Sequence, residues 1–284
     1  GILIEVLNPS QSCLKTGSQM WNRALYIVSW IFGIVLIVVL LGASVVSSKR
    51  ALLSDIKVNI DYGEGNFFID NDDVTDVVSD LGYEIDSTAI IEINPGKIEH
   101  VLENNAFIES AEVYEYLNGA LHIDVQVRQP IVRIYSQNGQ SVYLDENGKF
   151  MPLSRRYSSR TPITNGFISI KLNELIGTDI NTAVDSIDHP DIDVIMDLFQ
   201  VVSKCREDEF WKAQFNQFYV NADHEIELIP RVGDHIVLVG NANQIDKKLK
   251  KLSLFYQKGL NKTGWNEYKT INLKYANQVV CSKS

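Results

Sequence analysis

The chain has 284 residues, 45 % of them hydrophobic, and its 36 acidic against 26 basic side chains give a formal net charge of −10. That composition excludes disorder and collagen, and the length allows one large or two small folded units. So negative a surface, with no concentrated basic patch in the sequence, excludes nucleic acid as a partner. The three scattered cysteines, Cys13, Cys205 and Cys281, make neither a disulfide scaffold nor a zinc site with paired ligands.

The first predicted element is Ala24–Ser48, a run of 25 residues without a charge. A helix of that length spans a hydrocarbon core of about 30 Å, and soluble core helices rarely run so far without a polar stripe. A cleaved signal peptide is the rival reading. Met20-Trp21-Asn22-Arg23 looks like a start with a short basic region, and Gly42-Ala43-Ser44 offers small residues. Signal peptides, however, carry only about 7–15 apolar residues. Residues 24–48 therefore read as an uncleaved transmembrane helix after a short cytoplasmic tail, 1–23. Residues 1–19 are either part of that tail or a stretch upstream of a start at Met20. Lys15 and Arg23 before the span and Lys49, Arg50 and Lys57 after it leave the positive-inside rule undecided. The N-in orientation rests on the tail being too short to fold, whereas everything that can fold follows Arg50. No second apolar run of spanning length occurs, so one body on one side of the membrane is expected.

Ile56–Tyr62 alternates apolar and polar residues, as a half-buried strand does. Asp70-Asn71-Asp72-Asp73 then precedes Val74, Val77, Val78 and Leu81, which share one helix face that ends at Gly82. The acidic cluster is no EF-hand loop, because Val74 stands fifth and no glycine follows it; it reads as an N-cap. A second helix starts at Pro95 and carries Ile98, Val101 and Leu102. A hairpin follows, Ala111–Tyr116 and Leu121–Arg128, joined at Asn118-Gly119, the favoured pair for a two-residue turn. Leu121, Ile123, Val125 and Val127 face one way, which sends His122, Asp124, Gln126 and Arg128 to solvent. The order over residues 54–129 is β-α-α-β-β.

Pro130 lacks a ladder donor and marks the start of a second unit, residues 130–281. Ile131–Tyr135 and Ser141–Leu144 flank Asn138-Gly139, and Glu146-Asn147-Gly148 makes a further turn. Asp191 to Phe215 reads as one helix with Ile192, Ile195, Phe199 and Val202 on a face, stopped and capped by Asp188-His189-Pro190-Asp191. Gln217–Val239 reads as three strands. Ile245, Leu249, Leu252 and Phe255 line an amphipathic helix whose outer face is Lys247, Lys248, Lys250 and Lys251, either a solvated face or one near phospholipid headgroups. The last strand is Lys269–Tyr275. The whole is an α+β body: a transmembrane helix, a small β-α-α-β-β unit and a mixed β-rich unit with flanking helices.

No G-x-S-x-G, H-E-x-x-H, P-loop or G-x-G-x-x-G occurs, and the five histidines are dispersed. The chain therefore reads as a non-enzyme with no cofactor and no metal. The nearest approach to a ligand set is Asp185, Asp188, His189, Asp191 and Asp193. Without a second histidine at helical spacing, these read as caps and solvated carboxylates. Whether Cys205 and Cys281 pair or stay free is open, because spacing does not reveal their separation.

Phe107-Ile108-Glu109-Ser110-Ala111-Glu112-Val113 leading into the hairpin, closed by Arg128-Gln129-Pro130, resembles a POTRA domain of the FtsQ/DivIB family of bacterial division proteins. Further on, Tyr143-Leu144-Asp145-Glu146-Asn147-Gly148-Lys149-Phe150-Met151-Pro152 looks like that family's aspartate-glycine hairpin. Thr161-Pro162-Ile163-Thr164-Asn165-Gly166 looks like its proline-to-glycine segment, and Ile271-Asn272-Leu273-Lys274-Tyr275 like its last strand. The likeness covers about residues 21–280. Val127 departs from it, standing where many relatives carry an acidic residue. Asp223-His224 departs too, near a partner-binding arginine of some members, so that contact is not carried over. For a bacterial protein, the glycosylation sequon Asn261-Lys262-Thr263 reads as chance. The resemblance implies a bitopic inner-membrane scaffold at the division septum, its body in the periplasm, holding FtsB-like and FtsL-like coiled-coil membrane proteins and contacting other division proteins. The alternatives are a secretion or outer-membrane assembly POTRA protein and a membrane-anchored periplasmic enzyme.

In the last strand Ile271, Leu273 and Tyr275 share the face expected to pack on the domain, while Thr270, Asn272 and Lys274 share the other. A strand with no later segment to cover it is a candidate sheet edge. The expected partner-binding residues are Thr270, Asn272, Leu273, Lys274, Tyr275, Asn277 and Val279, with Lys274-Tyr275 matching the family's basic-tyrosine pair.

Overall fold

The structure is a computed structural model that describes residues 28–40, 52–116, 118–260, 262 and 264–283. Residues 28–40 are helical (α1), with nearly all their side chains exposed. Among the described residues no helix is long and apolar enough to cross a membrane. The remainder of the expected span, the tail 1–23 with Met20, and the sequon residues Asn261 and Thr263 lie outside the described residues.

The chain divides into two compact units. The smaller holds the described part of Gly1–Lys57 with Gly82–Pro95 and Tyr114–His122; the larger holds Val58–Leu81, Gly96–Val113 and the described part of Ile123–Ser284. In the smaller unit Leu53 is fully buried, its N–H donating to Thr88 O (2.8 Å) and its carbonyl accepting from Asp86 N (2.7 Å).

The expected β-α-α-β-β order is present: β1 (Asp55–Asp61), α2 (Asn71–Asp80), α3 (Pro95–Glu103), β2 (Ile108–Glu115) and β3 (Ala120–Val127), in a sheet of order β1-β3-β2. Asp70 caps α2 as the acidic cluster suggested. Its Oδ1 accepts from Asp73 N (3.1 Å) while Asp73 Oδ2 accepts from Asp70 N (2.8 Å), so two orphan donors are satisfied reciprocally. Val74 and Val78 are the buried face of that helix, and Ile98 and Leu102 that of α3.

The larger unit continues with β4 (Pro130–Tyr135), β5 (Ser141–Asp145), β6 (Phe150–Met151), β7 (Ile163–Gly166), α4 (Ile180–Ser186), α5 (Pro190–Arg206), α6 (Glu209–Gln214), β8 (Phe215–Val220), β9 (Ile226–Pro230), β10 (Ile236–Gly240), α7 (Ile245–Phe255), β11 (Tyr268–Asn272) and β12 (Val280–Lys283). One sheet of nine strands runs β12-β11-β10-β9-β8-β7-β4-β5-β6. Helix α5 buries Ile192, Ile195, Leu198 and Val202 in the same core as Val132, Phe218, Leu228 and Val237. At roughly 25 cal/mol per Å² of apolar area, such fully buried chains are worth about 1.5–3 kcal/mol each before entropy is counted.

Three local expectations are corrected. The single helix expected over Asp191 to Phe215 is two, because Asp208 leaves the helix and accepts from Phe210 N (2.8 Å), capping α6. Phe215 then begins β8 and is buried there. The Asn118-Gly119 turn is not a two-residue one but closes with the same spacing as the turns at Asn138-Gly139 and Glu146-Asn147-Gly148. Tyr116 N donates to Ala120 O, Ser136 N to Gln140 O and Asp145 N to Lys149 O, each at 2.9–3.0 Å, with Gly119, Gly139 and Gly148 at φ +89°, +84° and +86°. The glycine supplies the left-handed residue that such a loop requires. Arg128 does not face solvent: it is 7 % exposed and its Nη1 lies 2.9 Å from Oδ2 of Asp145, which is itself fully buried.

The neighbouring Gln129 uses its whole amide inside the larger unit. Its Oε1 accepts from Asn66 Nδ2 (2.7 Å) and Glu64 N (3.1 Å), and its Nε2 donates to Val127 O (2.7 Å). Gly63, at φ +53°, lies so close to this amide that a Cβ there would overlap it. Asn66 Oδ1 in turn accepts from Ser159 Oγ (2.7 Å), and Arg156 pairs with Asp70 (3.0 Å) and Asp73.

Strand β7, which the sequence offered only as a short proline-to-glycine segment, lies within the sheet, parallel to both β4 and β8. Gly166 pairs with Val220 at φ +122°, and a Cβ at this position would strike the Val220 carbonyl. Gly166→Ala is expected to lower stability by roughly 1–3 kcal/mol, since backbone, not a mobile side chain, must give way. Urea unfolding of the full chain in micelles measures it, and an unchanged midpoint would show that β7 and β8 part freely.

Candidate functional site

The expected partner-binding residues gather at the C-terminal end of the large sheet. Strand β11 pairs in parallel with β10, Ile236 opposite Thr270 and Leu238 opposite Asn272. On its other side it pairs antiparallel with β12, Ile271 opposite Cys281 and Asn272 opposite Val280. The expectation that Lys269–Tyr275 forms the sheet edge is therefore corrected. The chain turns back between Asn272 and Val280, and its last described strand covers β11, so among the described residues the edge is β12. Thr270 Oγ1 and Ser282 Oγ join across that pair at 2.5 Å.

Ile271 and Leu273 are fully buried, as their shared face requires, and Leu273 N still donates to Leu238 O (2.9 Å). Tyr275 departs from that face and is 50 % exposed. The cause is local: Asn272 Oδ1 accepts from Lys274 N (2.9 Å), which ends the strand in a side-chain-closed turn. Asn272 and Thr270 are half-buried, Lys274 and Asn277 exposed, and Val279 is half-buried against the core.

Two basic residues hold this segment. Lys274 Nζ reaches both carboxylate oxygens of Glu225 (2.8 and 2.9 Å), and that hydrogen bond raises its pKa above the usual lysine value. Lys251 Nζ donates to the carbonyls of Leu273 (3.0 Å) and Tyr275, while partial burial lowers its pKa. Lys248, likewise lowered by burial, donates to Asn241 O (2.8 Å). The lysine run on α7 is thus not one solvated face. Lys248 is 8 % exposed, and Lys251 clamps the C-terminal turn. Neither Glu225 nor Lys251 was legible in the sequence, since both act across tens of residues.

Of the residues weighed as metal ligands, Asp185, Asp188 and Asp193 are exposed, and His189 caps α5 by accepting from Asp191 N (3.1 Å). Asp191 is no solvated carboxylate. Fully buried, it accepts from Ser169 N (2.7 Å), Ser169 Oγ (3.0 Å) and Ile170 N (2.8 Å) on one oxygen, and meets His224 Nε2 (3.1 Å) on the other. His224 stands at φ +56° to reach it. Among the described residues no three His, Cys, Asp or Glu side chains are grouped to hold a metal ion. Cys205 and Cys281 are both free, and burial pushes the Cys205 thiol up to about 12, far from a reactive thiolate.

Two family models match the chain. Residues 129–282 match the family model described as FtsQ/DivIB, C-terminal related, and residues 53–126 match that of a POTRA-like domain. No curated protein matches the chain.

Proposed function

The chain belongs to the FtsQ/DivIB family of cell-division proteins, and from that premise we propose that it is a bitopic inner-membrane scaffold of the division septum. Its residues 24–48 span the membrane N-in, and its POTRA domain (54–129) and β domain (130–281) stand in the periplasm. The scaffold holds FtsB-like and FtsL-like partners by surface contacts, without catalysis.

The observation that carries this reading is β12. It is short, it ends the nine-stranded sheet, and Val280, Ser282 and Lys283 are exposed along it. Such an edge offers unpaired N–H and C=O groups to an incoming backbone. An extended segment of the FtsB-like partner adds there as a further strand. Its side chains meet Thr270, Asn272, Lys274, Tyr275, Asn277 and Val279, while Leu273 fixes the surface from below.

Tyr275→Ala is expected to weaken binding of the partner's periplasmic segment about tenfold, as loss of an interfacial tyrosine does. Lys274→Glu, which places two carboxylates together at Glu225, should weaken it several-fold with only a small effect on folding, because the pair is partly exposed. Isothermal titration with the full chain in micelles tests both. Unchanged affinity in the two variants would place the site elsewhere.

A further inference from the structure

Four cationic side chains from three separate stretches of sequence converge within the larger unit. Arg160, Arg206, Lys212 and Arg231 line a cleft of about 1040 Å³ in which, among the described residues, Glu64 is the one acidic lining residue. Glu64 lies 2.8 Å from Lys212 and 3.3 Å from Arg206, and these hydrogen bonds and charges hold its pKa below the usual carboxylate value. Arg160 and Arg231 are exposed and have no ionic partner among the described residues. The rest of the lining includes apolar surface at Phe67, Ile163 and Phe218, and Phe67 remains 55 % exposed.

On a chain of net charge −10 this is a local excess of positive charge, and field lines concentrate in such a concave site. Two unpaired guanidinium groups beside apolar surface suit a ligand that brings carboxylates and apolar side chains together. A wall glycan would meet the cations and leave Phe67 uncovered, while the overall charge opposes a phosphate backbone. We propose that this cleft binds an acidic, extended peptide segment of a partner protein, with carboxylates on Arg160 and Arg231 and others displacing Glu64 from Arg206 and Lys212. Glu64 is then a built-in stand-in for the ligand. The inference does not rest on the family reading.

The full chain in micelles is titrated with a rhodamine-labelled peptide alternating Glu with Leu and Phe, and with the same peptide carrying Gln for Glu. The Glu peptide binds, more weakly as salt is raised. The pair Arg160→Glu and Arg231→Glu weakens it at least tenfold at an unchanged unfolding midpoint. Glu64→Gln tightens it several-fold, which a merely structural Glu64 would not do, and Tyr275→Ala leaves it unchanged, separating this cleft from the β12 edge. Equal binding of the Gln peptide, indifference to the paired arginine reversal, no gain from Glu64→Gln, or competition by soluble wall glycan alone overturns the proposal.

Discussion

Asp145→Ala is expected to lower the stability of the larger unit by about 3–5 kcal/mol, the range for breaking a buried ion pair by removing one partner. Asp145 does two things at once. Its Oδ2 faces Arg128 Nη1 at 2.9 Å, and its Oδ1 accepts from Asn147 N (3.0 Å) and Lys149 N (2.7 Å), closing the loop between β5 and β6. Alanine leaves the guanidinium buried and unpaired, and Arg128 Nε already lacks a partner. Asp145→Asn keeps the loop acceptor and loses the charge, so its cost should be smaller. Arg128→Met combined with Asp145→Leu should recover part of the loss, since an apolar pair carries no desolvation penalty. Urea unfolding followed by circular dichroism ranks the three variants. A loss below about 1 kcal/mol in Asp145→Ala would mean that water reaches Arg128 freely.

Asp191→Ala should cost about 3 kcal/mol or more, because it orphans the Ser169 and Ile170 N–H groups together with the Ser169 hydroxyl. The same residue gives the protein an acid dependence whose sign follows from the geometry. Burial opposes the charge, but the two backbone N–H donors, the Ser169 hydroxyl and His189 outweigh it and hold the folded pKa below 3.8. A depressed carboxyl stabilises fully above its unfolded value, near pH 3.9, and that contribution is lost as pH falls through the folded value. Wild-type stability should therefore drop on acidification below about pH 4. Asp191→Asn should show a shallower acid limb from a lower neutral plateau, because its amide brings donors toward donors. Superimposable limbs in the two proteins would assign the acid sensitivity to other carboxylates.

Much of the β-α-α-β-β segment was legible because its signals are local. The period-two alternation of β1, the Asp70 cap and valine face of α2, Pro95 at the start of α3 and the inward row Leu121, Ile123, Val125 and Val127 each depend on residues within one or two turns of chain. Arg128 extends that same alternation, and alternation sent it outward. What reverses it is Asp145, 17 residues on, a charge partner that no periodicity reveals. The Asn-Gly pairs located the turns, but at Asn118-Gly119 the two-residue length was misjudged, because the loop type depends on strand register as well as on the glycine.

The segment after Pro130 shows the other side of the division. Its strands β8, β9 and β10 and the long helices α5 and α7 announce themselves by pattern, whereas the order in the sheet is a matter of crossovers. The four-residue β7 has too little alternation to read as a strand, yet burial between β4 and β8 makes it central. Val280–Lys283 is equally short, and only its ladder to β11 turns the expected edge into an interior strand. Lys248 and Lys251 read as solvent-facing because charge usually is; Asn241 and the carbonyls of Leu273 and Tyr275 decide otherwise. By itself the sequence determined the longer patterned segments as helix or strand, since those choices are settled between neighbours a few residues apart. The tertiary structure alone decided which strand is the edge, which charges are buried and which arginines share a cleft, because each depends on contacts between segments that the chain brings together only on folding.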